Sequence, residues 1–260
     1  MKKTKLFSIL QTFDSKELRA FHDFVRSPFF NKQEEIVQLF EYLKKQAKRG
    51  FPDRKMQKKT IFATLFPEQA YDERRFNHLI SLLFKLAETF LGYQQMQKAG
   101  LVGEYYALQA YMERNEHKSY RYLYEQAHKK LAAFPFRNAD YHFQQFLLAD
   151  VAERHFSNQD VRRTDQSLQL AADHLDHYFL AQKLKFVCAM LDRQMQLPTS
   201  YTTHMIDEIN QYLNRRSFAH IPAIHIYYIM LLTLTEPTES KHFYQLVAAL
   251  KTNKALFDTG

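Results

Sequence analysis

A chain of 260 residues, 46% of them apolar, is long enough to bury a large core, which excludes disorder as its overall state. Five Gly and seven Pro are too few turn formers for a sandwich or barrel of short strands, and the one cysteine, Cys188, excludes both an intramolecular disulfide and a four-cysteine zinc site. The net charge is +8; residues 1–100 hold 19 of the 36 Lys and Arg but 11 of the 28 Asp and Glu, so the whole excess belongs to the N-terminal part.

Met1 to Leu10 has the basic-then-apolar order of a secretory signal, but Gln11, Thr12 and Asp14 follow too soon, so the segment reads as an amphipathic first helix. No apolar run approaches the roughly 20 residues of a membrane span. With a single cysteine, this points to a soluble, cytoplasmic protein with no membrane partner. Asp14 or Ser15 caps a second helix carrying Leu18, Phe21, Phe24 and Val25, stopped near Ser27 by Pro28. Asn31 followed by Glu34 has the spacing of a capping box for a helix to about Arg49, with Ile36, Leu39, Phe40, Leu43 and Ala47 on one face and Gly50 and Pro52 beyond its end. Eight cations from Lys44 to Lys59 are opposed only by Asp53, a basic knot that attracts polyanions over roughly 8 to 10 Å at physiological salt.

A short helix follows at Lys59 to Phe66, ended by Pro67. The next runs from Tyr71-Asp72 to about Leu91, with Phe76, Leu79, Ile80, Leu83, Leu86, Ala87 and Phe90 as its apolar stripe and Arg74, His78, Ser81, Lys85 and Glu88 as a polar one. Gly92, Gly100 and Gly103 mark a boundary between a basic helical module, 1–97, and a second part, 98–260. There the pattern gives helix pairs at about 101–133, 138–175, 176–216 and 222–254, with breaks at Pro135, Asp176-His177, Pro198, Ser217 to Pro222 and Glu236-Pro237. That interval suits stacked helical hairpins, so the fold expected is all-α: a helical module followed by an α-solenoid.

Phe24 to Lys32 (FVRSPFFNK), Leu39 to Leu43 (LFEYL), Leu65-Phe66-Pro67, Ser81 to Leu91 (SLLFKLAETFL) and Tyr178 to Arg193 (YFLAQKLKFVCAMLDR) together resemble a group of helical, tetratricopeptide-like proteins from the Bacteroidetes. The resemblance spans the whole chain and implies architecture, with no activity to carry over; members of the group run longer. Thr60 to Leu91 more weakly resembles the helix-turn-helix portion of winged-helix activator domains, which implies a bacterial regulator contacting DNA. Arg74, Arg75, Asn77, His78, Ser81 and Lys85 would then face the groove, with Lys55, Lys58 and Lys59 near phosphates. Gln94 to Leu101 shows no pair of alternating strands for a wing, and a solvated face on a packing helix explains the same residues.

Asp173-His174-Leu175-Asp176-His177 places two imidazoles three residues apart on one helical turn, near enough to share a metal, but a third ligand is not identifiable from sequence. Cys188 sits among Phe186, Val187, Met190 and Leu191 and reads as a packing residue. There is no nucleophile elbow, phosphate loop or dinucleotide-binding glycine turn. No catalytic, cofactor-binding or metal residues are therefore assigned, and no cofactor is expected. Tyr105, Tyr106, Tyr111, Tyr120, Tyr122, Tyr124, Tyr227, Tyr228 and Tyr244 either pack inward or furnish a protein-binding face. Phe243, Leu246, Val247, Leu250 and Leu256 leave an apolar face on the last helix, which points either to a further helix that covers it or to self-association there. The function expected is a non-enzymatic scaffold for a protein or peptide partner; the alternative is a DNA- or RNA-binding regulator using the basic module.

Overall fold

The computed structural model describes residues 1–157 and 166–256, and every regular element among them is a helix. The chain divides into two compact units, Met1–Lys98 and Ala99–Gly260.

The first unit contains α1 (Lys5–Leu10), α2 (Ser15–Arg26), α3 (Glu34–Ala47), α4 (Lys58–Leu65) and α5 (Glu73–Lys98). Asp14 caps α2: its carboxylate accepts from the backbone N–H groups of Lys16 and Glu17, while the Glu17 side chain accepts from the Asp14 N–H. The capping box expected at Asn31 and Glu34 does not form, because the Asn31 amide is used in the preceding turn. Its Nδ2 donates to the Val25 and Gln33 carbonyls and its Oδ1 accepts from the Gln33 N–H, so α3 starts without a side-chain cap. The core is ring-rich: Phe21 lies 4.7 Å from Phe40 and 5.2 Å from Phe90, and Phe62 meets Phe76 edge-on at 6.0 Å. α5 continues through Gly92 to Lys98 instead of stopping near Leu91. A single interior glycine weakens a helix by about 1 kcal/mol, too little to end one whose stripe Phe76, Leu79, Leu83, Ala87 and Phe90 is buried against α1, α2 and α3.

The second unit contains α6 (Val102–Glu113), α7 (His117–Ala132), α8 (Ala139–Ser157), α9 (Ser167–Gln196), α10 (Ile206–Arg215), α11 (Pro222–Thr235) and α12 (Ser240–Asn253). α6 packs on α7, α8 on α9, and α11 on both α9 and α12. The break expected at Asp176-His177 does not exist, since both lie within the 30 residues of α9. Asp176 is exposed while His177 turns toward α8, so polar residues resembling a turn are a helix's solvent side and its interhelix side in alternation. The expected pairs 138–175 and 176–216 thus give way to one α8–α9 hairpin and a separate short α10. Residues 158–165 of that first span lie outside the described residues. Gly100, next to the start of the unit, has φ of +77°, and its carbonyl accepts from Lys130.

Candidate functional site

The structure separates the residues of the first unit's candidate face by exposure, with the Lys59 ammonium 5.9 Å from the Tyr71 ring centroid and the Ser81 hydroxyl donating to the Asn77 carbonyl. Arg74, His78, Ser81 and Lys85 form one exposed stripe along α5, and Lys55 and Lys59 are exposed nearby in sequence. Arg75 and Asn77 do not join that stripe. The Arg75 guanidinium pairs with Glu35 at 2.5 Å, donates to Gln69 and lies 4.4 Å from the Phe66 ring centroid, so it fastens α3 and the α4–α5 turn to α5. Lys58 donates to the Asn77 carboxamide at 2.7 Å and stands 3.8 Å from Glu73, which joins α4 to α5. Helix spacing in the sequence could not separate these roles, because Arg74 and Arg75 are adjacent and Glu35 lies 40 residues away.

The second site is a group of three imidazoles between α8 and α9. The three-residue spacing puts His174 and His177 on one side of α9, and His142 faces them from the first turn of α8. Ring centroids lie 5.4 Å apart for His142 and His177, 5.9 Å for His174 and His177, and 6.2 Å for His142 and His174. One ring nitrogen from each is within 4.8 Å of the others. His142 is 6% exposed, and neither of its nitrogens has a hydrogen-bond partner; the Nδ1 atoms of His174 and His177 are likewise buried and unpartnered. Burial, and then the neighbouring imidazoles, push the His142 pKa down to about 4. Burial lowers His174 and His177 as well, against the opposing pull of Asp173. Each of these shifts favours the neutral imidazole, the form that ligates a metal.

The third feature is the outer side of α9. Leu168, Ala172, Leu175, Phe179, Phe186 and Ala189 are all exposed, at 67%, 45%, 41% and 59% for Leu168, Leu175, Phe179 and Phe186. With the half-buried Gln182 they recur at alternating intervals of four and three residues, the heptad spacing of a coiled-coil seam. The opposite side of α9, with Ala181, Leu184 and Cys188, is buried. Apolar residues thus occupy both sides of α9, and among the described residues the heptad side has no helix upon it. Beside it, Cys188, Tyr227, Met230, Leu234, Phe243 and Leu246 line a groove of about 500 Å³ between α9, α11 and α12.

Cys188 itself is buried, its thiol 3.4 Å from the Tyr227 carbonyl and pushed up to about 12 by burial, as a packing residue would be. The tyrosines divide. Tyr106, Tyr122 and Tyr244 are exposed; Tyr120 is buried and donates to the Val151 carbonyl; Tyr105 and Tyr228 are half-buried and bonded to Asp150 and Asn214. Tyr111, Tyr124 and Tyr227 are also half-buried. On α12 Phe243 and Leu250 are exposed, while Leu246 and Val247 are half-buried, as is Leu256 just beyond it. No helix among the described residues is long and apolar enough to cross a membrane. Compared with family models, curated proteins and solved structures, the chain matches none.

Proposed function

We propose that the chain is a non-enzymatic helical scaffold whose second unit receives an amphipathic helix of a protein partner along the outer side of α9. The observation that carries this is the exposed heptad seam from Leu168 to Ala189. A helix apolar on both sides is ordinarily covered on both, and intervals of four and three residues match another helix rather than an extended strand or a small molecule. The pairing of α6 with α7, α8 with α9 and α11 with α12 supports a tetratricopeptide-like arrangement in this unit, which presents helix faces in the way such scaffolds do. Exposed Phe243 and Tyr244 on α12 make the last helix a second contact surface, including contact with another copy of the chain.

The test is site-specific photocrosslinking in native lysate from positions 175, 179 and 186, with exposed Glu125 of α7 as control. A discrete adduct from the seam positions and none from the control, lost in a Phe179→Asp/Phe186→Asp variant, is expected. Equal labelling from seam and control would refute the proposal. Phe179 is 41% exposed and Phe186 59%, so part of each ring is covered, and helical circular dichroism must show the variant folded before loss of the adduct is read.

A second reading, nucleic-acid binding by the first unit, is supported by the exposed stripe Arg74, His78, Ser81 and Lys85 beside the basic knot. Such binding would weaken with salt, and an Arg74→Ala/Lys85→Ala variant would bind duplex DNA more weakly. Absence of any mobility shift at low salt would end that reading.

A further inference from the structure

We propose that His142, His174 and His177 form a three-imidazole site for a divalent transition ion, with Zn²⁺ as the reference ligand, that ties α8 to α9. Each residue is placed by the fold: two by helical spacing on α9, the third by the packing of α8 against it. The site has the donor type and number of three-histidine zinc centres, which keep a fourth position for water or another ligand.

The unpartnered nitrogens are the independent observation. A buried polar atom without a partner costs about 1–3 kcal/mol, and among the described residues four of the seven such side-chain atoms belong to these three rings. A bound ion would take up one nitrogen from each ring. Around tetrahedral Zn²⁺, with Zn–N bonds of about 2.0–2.1 Å, ligand nitrogens stand roughly 3.4 Å apart, so the rings close on the ion by side-chain rotations of about an ångström. The charges nearby are mixed: Asp173 and Asp176 favour a cation beside His174 and His177, whereas Arg137 opposes one beside His142. The Arg137 guanidinium is held elsewhere, 4.3 Å from the Tyr141 ring centroid and donating to the Phe134 and Phe136 carbonyls.

Donor chemistry also selects the ion. Neutral imidazoles suit Zn²⁺, Co²⁺, Ni²⁺ and Cu²⁺, while the lack of a carboxylate among the three ligands disfavours Mg²⁺ and Ca²⁺.

The test uses the full chain freed of any affinity tag and of metal, titrated with Zn²⁺ by calorimetry and with Co²⁺ by visible absorption. One ion per chain is expected, with the d–d absorption of imidazole-bound Co²⁺, and Mg²⁺ should neither bind nor compete. His142→Ala and His177→Ala should each weaken Zn²⁺ binding by more than the roughly 10- to 100-fold typical of losing a residue that only orients a ligand. His117→Ala should leave it unchanged, although His117 stands 3.4 Å from His155 in a separate histidine pair on the surface. Should the first two variants lose helicity, X-ray absorption of the zinc-loaded wild-type chain decides, since three imidazole ligands in the first coordination sphere are required. Failure of wild-type protein to bind one equivalent, or loss of binding in His117→Ala, overturns the proposal. Because it does not involve the outer seam of α9, this result is independent of partner capture there.

Discussion

Gly100→Ala is the substitution for which the structure gives the most definite energy. Gly100 has φ of +77°, a conformation that costs an L residue about 1–2 kcal/mol. An added Cβ would also fall 2.1 Å from Oε1 of Gln144, far inside contact distance. Gln144 is 6% exposed, and that same Oε1 accepts the Leu101 N–H at 3.1 Å, so the side chain has to leave and strand a buried donor. An unsatisfied buried group adds about 1–3 kcal/mol, for a total of roughly 2–5 kcal/mol. For a unit of this size that lowers the melting temperature by roughly 4–20 °C, read by helical circular dichroism. The mechanism makes a further demand, that Gln144→Ala cost less in the Gly100→Ala background than in wild type, because the clash removes its hydrogen bond first. Additive losses, or a Gly100→Ala change smaller than about 0.5 kcal/mol, would refute this account.

The opposite sign is expected at Gly92, which lies inside α5 with nothing within 4 Å of an added Cβ; Gly92→Ala should stabilise by about 0.5–1 kcal/mol in urea unfolding, and destabilisation would mean a hidden contact. Asp14→Ala should destabilise α2. Backbone hydrogen bonds from Glu17 and Lys16 hold the Asp14 carboxyl below its ordinary pKa, so its stabilisation is full above the unfolded-state value and fades as pH falls through the depressed folded one. Unfolding curves of variant and wild type should therefore converge in acid, and a gap independent of pH would contradict the capping role. Cys188, with its thiol pushed up to about 12, should resist a disulfide reagent at pH 8 in native protein and react promptly in urea; fast native reaction would place it at the surface.

What was legible in the sequence was whatever depends on neighbours along the chain. The stripes of α3 and α5 follow from residues three and four apart, and the Asp14 cap from contacts within one turn. What depends on distant partners was not. Asn31 carries the spacing of a capping box, yet its amide is claimed by Val25, and the competition between those bonds leaves no trace in a linear pattern. Arg75 looked like a groove-facing cation until the fold brought Glu35 to it. The histidine site was half visible: His174 and His177 were paired by spacing, but the third ligand sits on another helix. One signal could have found it, because His142 lies three residues after Ala139 and seven before Ala149, on the buried side of α8 where an apolar residue would be expected.

α9 joins the two proposals and also separates them. Its 30 residues extend about 45 Å, well beyond the roughly 29 Å of the 19-residue α8, so α8 covers only part of it and α11 meets it as well. At 100° per residue, His174 and His177 fall on the side opposite Leu168, Leu175, Phe179 and Phe186. A polar substitution at Phe179 or Phe186 should therefore leave zinc binding intact, and His142→Ala should leave seam crosslinking intact. A variant on either side that abolishes both would mean that α9 itself has shifted in its packing. Measured together, the two readouts thus distinguish loss of a surface or of a ligand from loss of the helix that carries them.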